Sequence, residues 1–274
     1  MINLRKNQEK LVSIVVTFAA FSVVISGLGC DRGAAVTGPS IDGGDARIAA
    51  EKITEADTLY EGREDMNKAR VAVASLRQAR VTDSGNYEAA WKLARASFYV
   101  GDRTESRPEK DDMFREGTEA GKAAIQLQPD KPEGHFWLGA NYGGSAANST
   151  IANLSSFQDI KREMETVLKL DESYQGYSAY LGLGRLYLQA PKMLGGDTGK
   201  AIEYLEKGVK LNPNHGLMRF HLAQAYQSAN RDAEAKKQIE SLTAITPDPK
   251  FAAEHKDAVE KGKKLLEKMQ SDRR

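Results

Sequence analysis

The sequence predicts an all-α fold: a helix–turn–helix superhelix of four to five helix pairs with a C-terminal capping helix. Two observations carry that expectation. The 274 residues include only 8 Pro and 24 Gly amid abundant Ala, Leu, Lys and Glu, residue types that lose little side-chain freedom in a helix. A Leu followed by a small residue, with an aromatic three or four positions beyond, recurs four times: Leu93-Ala94 with Phe98, Leu138-Gly139 with Tyr142, Leu183-Gly184 with Tyr187, and Leu222-Ala223 with Tyr226. Each recurrence precedes a second helical run that ends in a polar turn, near Pro129, Glu172, Pro213 and Pro247.

The first segment has a different character. Arg5, Lys6 and Lys10 stand against only Glu9, an uncharged apolar run follows from Leu11 to Leu28, and small Gly29 precedes Cys30. A basic start, an apolar stretch and small residues before a break form the layout of an export signal. The run is also long enough to span a bilayer, so a cleaved signal and an uncleaved anchor both fit it. The segment resembles a bacterial lipoprotein signal, in which the first residue after cleavage is a lipid-carrying cysteine, although Gly27 stands where that family prefers Leu. The resemblance implies a signal peptide over residues 1–29, lipidation at Cys30, and attachment to the membrane through the N-terminal lipid. The expected location is the bacterial cell envelope, with the chain facing the periplasm or exterior. Residues 30–45, small, polar and Gly-rich after the cysteine, read as a flexible tether, and residues 46–270 as the folded domain.

Searching for repeats explains that domain. Its units resemble the tetratricopeptide repeat, a 34-residue helix–turn–helix with the pattern W-x2-L-G-x2-Y, then A-x3-F, an Ala and a Pro. The last unit supplies Leu222, Ala223, Tyr226, Ala235, Ile239, Leu242 and Pro247, and Pro213 to Pro247 spans that 34-residue period. The third supplies Tyr180, Leu183, Gly184, Tyr187, Ala201, Leu205, Gly208 and Pro213, with extra residues between its helices. The second keeps Leu138, Gly139 and Tyr142 but has His135 for Trp and Glu172 for Pro; the first is stretched across GDRTESRPEKDD. Residues 46–83 form a degenerate preceding pair, with Tyr60, Ala72, Leu76 and Ala79 near the expected places. Small residues let paired helices approach, large apolar ones fill the space between, and stacked neighbours complete a core that one pair cannot bury alone. The Lys- and Glu-rich run from Phe251 to Met269 has the polar outer face that a terminal cap requires.

Composition excludes several functions. The 39 basic and 38 acidic residues nearly balance, and cleavage before Cys30 would leave a net charge of −1; nucleic-acid binding through a basic patch is not expected. One cysteine and four histidines offer neither a disulfide framework nor a zinc motif, so no metal and no cofactor are expected. GGDTGKA at 195–201 lacks the first Gly and the final Ser or Thr of a phosphate loop, and reads as a loop with Asp197 capping the next helix. No catalytic residue is assigned: Asp111-Asp112 and Glu163/Glu165 read as helix-start and surface charges, and no nucleophile elbow is present. An enzyme is not expected.

Binding is the remaining function. The tetratricopeptide resemblance implies that first helices line a concave groove, with Trp91, Phe136, Leu181 and Phe220 facing it. Four positions on, one turn later, come Arg95, Ala140, Arg185 and Gln224. An apolar ladder beside two arginines suits a small amphipathic ligand or a peptide, since the guanidinium fork matches a carboxylate. The competing reading makes Trp91 and Phe136 core residues and the arginines partners in surface ion pairs. AWKLARASFY, YLGLGRLYLQAP and LGGDTGKAIEYLEKG, with the lipoprotein start, resemble the T-component lipoproteins of TRAP transporters. They are also similar to the eukaryotic regulators of microtubule dynamics. The first resemblance implies an extracytoplasmic scaffold with a hydrophobic ligand path, a periplasmic solute-binding protein as partner, and homo-oligomerisation. The alternative is a general protein-protein interaction scaffold in cell-envelope assembly.

Overall fold

A computed structural model of the chain describes residues 43–148 and 154–271. The expected signal over 1–29, Cys30 and most of the 30–45 tether lie outside the described residues. All described residues belong to one compact unit, Ile41–Arg274.

Among the described residues there are eleven α-helices and no strand. The first ten form five consecutive pairs: α1 (Gly43–Glu61) with α2 (Met66–Thr82), α3 (Tyr87–Arg103) with α4 (Arg107–Leu127), α5 (Pro132–Asn148) with α6 (Leu154–Leu170), α7 (Tyr174–Gln189) with α8 (Thr198–Leu211), and α9 (Gly216–Ser228) with α10 (Asp232–Thr243). The capping helix α11 (Ala252–Ser271) follows a single 3₁₀ turn at Pro249–Phe251. Each helix packs on its pair partner, and α3, α5, α7 and α9 also pack on one another in sequence. The degenerate 46–83 segment is a full pair, and α1 starts at Gly43, inside the stretch assigned to the tether. The excess of the first unit became helix rather than loop: only Thr104–Ser106 separate α3 from the 21-residue α4.

Short polar residues start these helices. Side-chain oxygens of Asp65, Asn86, Ser106 and Asp197 accept from the backbone N–H of Asn67, Ala89, Glu109 and Lys200, satisfying donors the helix leaves open. Asp197 therefore caps α8 as expected.

Small residues mark close helix contacts. A Cβ on Gly184 would stand 2.4 Å from Leu205 Cγ, and one on Gly117 only 2.1 Å from Asn141 Oδ1. Asn141, fully buried, donates to the backbone oxygens of Ala94 at 3.0 Å and Trp137 at 2.7 Å, tying α3 to α5. On the second helices, Arg70 and Arg77 of α2 each grip a carboxylate of α4, Glu109 and Glu116, through two nitrogens. Spaced by two turns, the pairs set the register; being exposed, they add little stability.

The C-terminal segment returns to the first pair. Arg63, in the α1–α2 turn, donates to both carboxylate oxygens of Glu254 in α11 at 3.2 and 2.9 Å and to the Lys250 carbonyl at 2.7 Å. Arg103 at the end of α3 pairs with Asp257 at 2.8 Å. Helix α11 also covers α9 and α10, burying Phe220, Leu242 and Ala258 in a cluster of their own.

Candidate functional site

The inner faces of α3, α5 and α7, together with the returning C-terminal segment, line a partly open cavity of about 1080 Å³. Each helix supplies residues one turn apart: Arg95, Tyr99 and Arg103 from α3, Phe136 and Ala140 from α5, Leu181 and Arg185 from α7. Trp137, Phe157 and Met164 add to the apolar wall, while Lys250, Phe251 and Glu254 close the C-terminal side.

The aromatic wall is built of mutually oriented rings. Phe136 meets Trp137 edge-on at 4.9 Å and Tyr174 at 5.4 Å, and the Trp137 indole N–H donates to the Tyr174 hydroxyl at 3.2 Å. The start of α7 is unusual: Gln175, Gly176 and Tyr177 all have positive φ, at 50°, 64° and 70°, a costly conformation outside glycine. Three bonds hold it. Asn212 donates to the Gly176 carbonyl at 3.2 Å, Ser178 to the Gln175 carbonyl at 2.6 Å, and His215 Nε2 lies 2.9 Å from Ser178 Oγ. His215 Nδ1 accepts from Met218 N–H at 3.3 Å, so the Nε2 proton points to Ser178. Burial lowers the His215 pKa to about 4, keeping that neutral tautomer.

Four arginines face the cavity, and three are already matched. Arg63 is held by Glu254. Arg95 bonds Asp57 at 3.2 Å, with its guanidinium 4.0 Å from the Tyr60 ring centre and 5.1 Å from that of Trp91. Arg103 pairs with Asp257 and lies 3.8 Å over Tyr99. Arg185 forms no ion pair among the described residues.

Of the seven residues expected to face the groove, Arg95, Phe136, Leu181 and Arg185 line this cavity. Trp91 does not; it is half-buried behind Arg95 and stacks on that side chain. Phe220 lies under α11, and Gln224 sits against His221. The cap explains the difference, because α11 occupies the face of α9 that would otherwise extend the groove. Glu163, read as a surface charge, is 5% exposed and pairs with His135 at 2.7 Å. The sequence reading did not single out Arg63, Tyr99 or Arg103. Tyr99 and Arg103 continue the i, i+4 series Trp91–Arg95, a signal that was available; Arg63 lies in a turn and gave none.

Comparison with known proteins bears on the fold. The family model described as Regulator of microtubule dynamics protein 1-3 matches residues 52–193, just over half of the chain. A tetratricopeptide repeat model matches residues 193–254. A search among curated proteins found no significant match. Among solved structures, a thermophilic TPR protein of Thermus thermophilus is similar at 18% identity and a TM-score of 0.57, covering 77% of this chain and 98% of its own. A Pseudomonas aeruginosa pilF structure is similar at 16% identity and 0.51, covering 82% and 93%. Identities this low establish the tetratricopeptide-type architecture and nothing finer.

Proposed function

The chain belongs to the regulator of microtubule dynamics protein 1-3 family and continues into a tetratricopeptide repeat; from that premise we propose that it is a ligand-handling scaffold. In this reading the array is lipid-anchored at Cys30, faces the periplasm or exterior, and takes an amphipathic molecule or peptide into its cavity. It serves as an accessory component of a TRAP-type solute transport system, beside a periplasmic solute-binding protein. The observation that carries the reading is the cavity itself, about 1080 Å³ bounded by Phe136, Trp137, Leu181 and the arginines. That is near the upper end of the size of small-molecule sites, with an apolar wall on one side and a strongly charged one on the other. The export-like start through Cys30 supports the location, and the YLGLGRLYLQAP and LGGDTGKAIEYLEKG segments support the transport role. Tetratricopeptide arrays bind partner proteins, and that general role makes an envelope-assembly scaffold the second reading.

Purification of the full chain from its own membrane, followed by native mass spectrometry, tests both. A bound small molecule together with a solute-binding partner is the expected result. Protein partners without any small molecule would favour the assembly scaffold, and a bare chain would overturn the ligand-handling reading.

A further inference from the structure

Beside the cavity lies a small polar annex of about 70 Å³. Asp102, Arg103, Arg185, Leu217 and Glu254 border both spaces, so the annex adjoins the large chamber. His221, Asp257 and Lys261 complete its wall.

The annex wall carries three carboxylates, Asp102, Glu254 and Asp257, and three cations, Arg103, Arg185 and Lys261, but they are not paired one to one. Glu254 is held by Arg63 through two bonds. Asp257 and Asp102 both lie against Arg103, at 2.8 and 3.5 Å. Arg185 and Lys261 have no carboxylate partner among the described residues. His221 is 7% exposed, and its Nδ1 is buried without a hydrogen-bond partner. Burial first, and then the nearby Arg185 charge, holds the ring well below its ordinary pKa and therefore neutral. A buried nitrogen left unpaired costs free energy.

We propose that the annex is the head-group site of the cavity and that its ligand is an amphipathic monocarboxylate. The carboxylate lies against the Arg185 guanidinium with His221 beside it, and the apolar body runs back along Leu217, Leu181 and Phe136. Arg185 provides the planar two-nitrogen fork that a carboxylate accepts. The small annex volume favours a compact single anion over a larger, multiply charged head. This assignment rests on the cavity being a ligand site.

The test uses the full chain, carrying Trp91→Phe so that Trp137 in the cavity wall is the remaining tryptophan, reconstituted in phosphatidylcholine vesicles. Quenching of Trp137 is titrated with terminally brominated undecanoate, undecanol and undecyl phosphate. The carboxylate is expected to bind roughly tenfold or more tightly than the alcohol, as a charge-assisted hydrogen bond implies. Arg185→Gln should remove that advantage while leaving alcohol binding intact, which also reports an intact cavity; Arg185→Lys should restore part of it. Equal affinity for acid and alcohol, or an unchanged preference in Arg185→Gln, would overturn the head-group site and leave the cavity reading standing. A phosphate bound tighter than the carboxylate would overturn the carboxylate assignment. Absence of quenching by all three probes would overturn the cavity reading and this one with it.

Discussion

His135 meets an acceptor at each ring nitrogen, Glu163 Oε2 at 2.7 Å and the Pro129 carbonyl at 2.9 Å. Both bonds are made only if both nitrogens carry protons. The Glu163 bond accordingly raises the His135 pKa against the opposing effect of burial. Burial raises that of Glu163, but bonds from His135 and Arg162 outweigh it and hold the carboxyl low. His215 is the reverse case, lowered to about 4 because burial disfavours its charge. The two act on stability with opposite signs. The contribution of His135 is complete below about 6.5 and is lost as pH rises through its raised pKa. For His215 the unfolded chain takes up the proton first, so stability falls as pH drops from about 6.5 towards 4. NMR titration should find His135 above the ordinary histidine value and His215 near 4, with Glu163→Gln lowering the first and sparing the second. A His135 that titrates below the ordinary value would refute the pairing. None of this was legible in the chain, because His135 and Glu163 are on separate helices and no spacing rule joins them. Arg95 and Arg185 likewise read as equals, and only the fold matches one to Asp57 and leaves the other without an ion pair among the described residues.

Helices were more legible than sites because their rules are local. Capping residues, the Leu-small-aromatic recurrence and the prolines lie within a few positions of the structure they specify. The same locality explains the failure at α9: Phe220 obeys the pattern of the other first helices, but α11, more than thirty residues on, covers it. Glycines separate packing from mere pattern. Gly117→Ala gains helix propensity yet places its Cβ 2.1 Å from buried Asn141. It should destabilise by roughly 1–3 kcal/mol in denaturant melts. Gly143→Ala has nothing within 4 Å and should stabilise by about 0.5–1 kcal/mol. Equal effects at the two positions would contradict the packing described for α4 and α5.

At the scale of the whole array, a bond between its first pair and its last helix forms part of the cavity wall. The pair Arg63–Glu254, with side chains 11% and 23% exposed, links the α1–α2 turn to α11 across most of the folded sequence, which no repeat pattern forecasts. Arg63→Ala should cost about 1–3 kcal/mol, since it strands a partly buried carboxylate. It should also speed amide exchange in α11 more than in α4. Uniform exchange changes would argue against an end-to-end closure. The central claim is that the cavity holds a ligand, and Gly143, on its wall with open space before it, gives direct access to it. Native mass spectra of the wild-type chain and of Gly143→Trp, purified side by side from the same membrane, should show a discrete noncovalent adduct on the first and none on the second. An adduct on neither, or the same adduct on both, would contradict the claim.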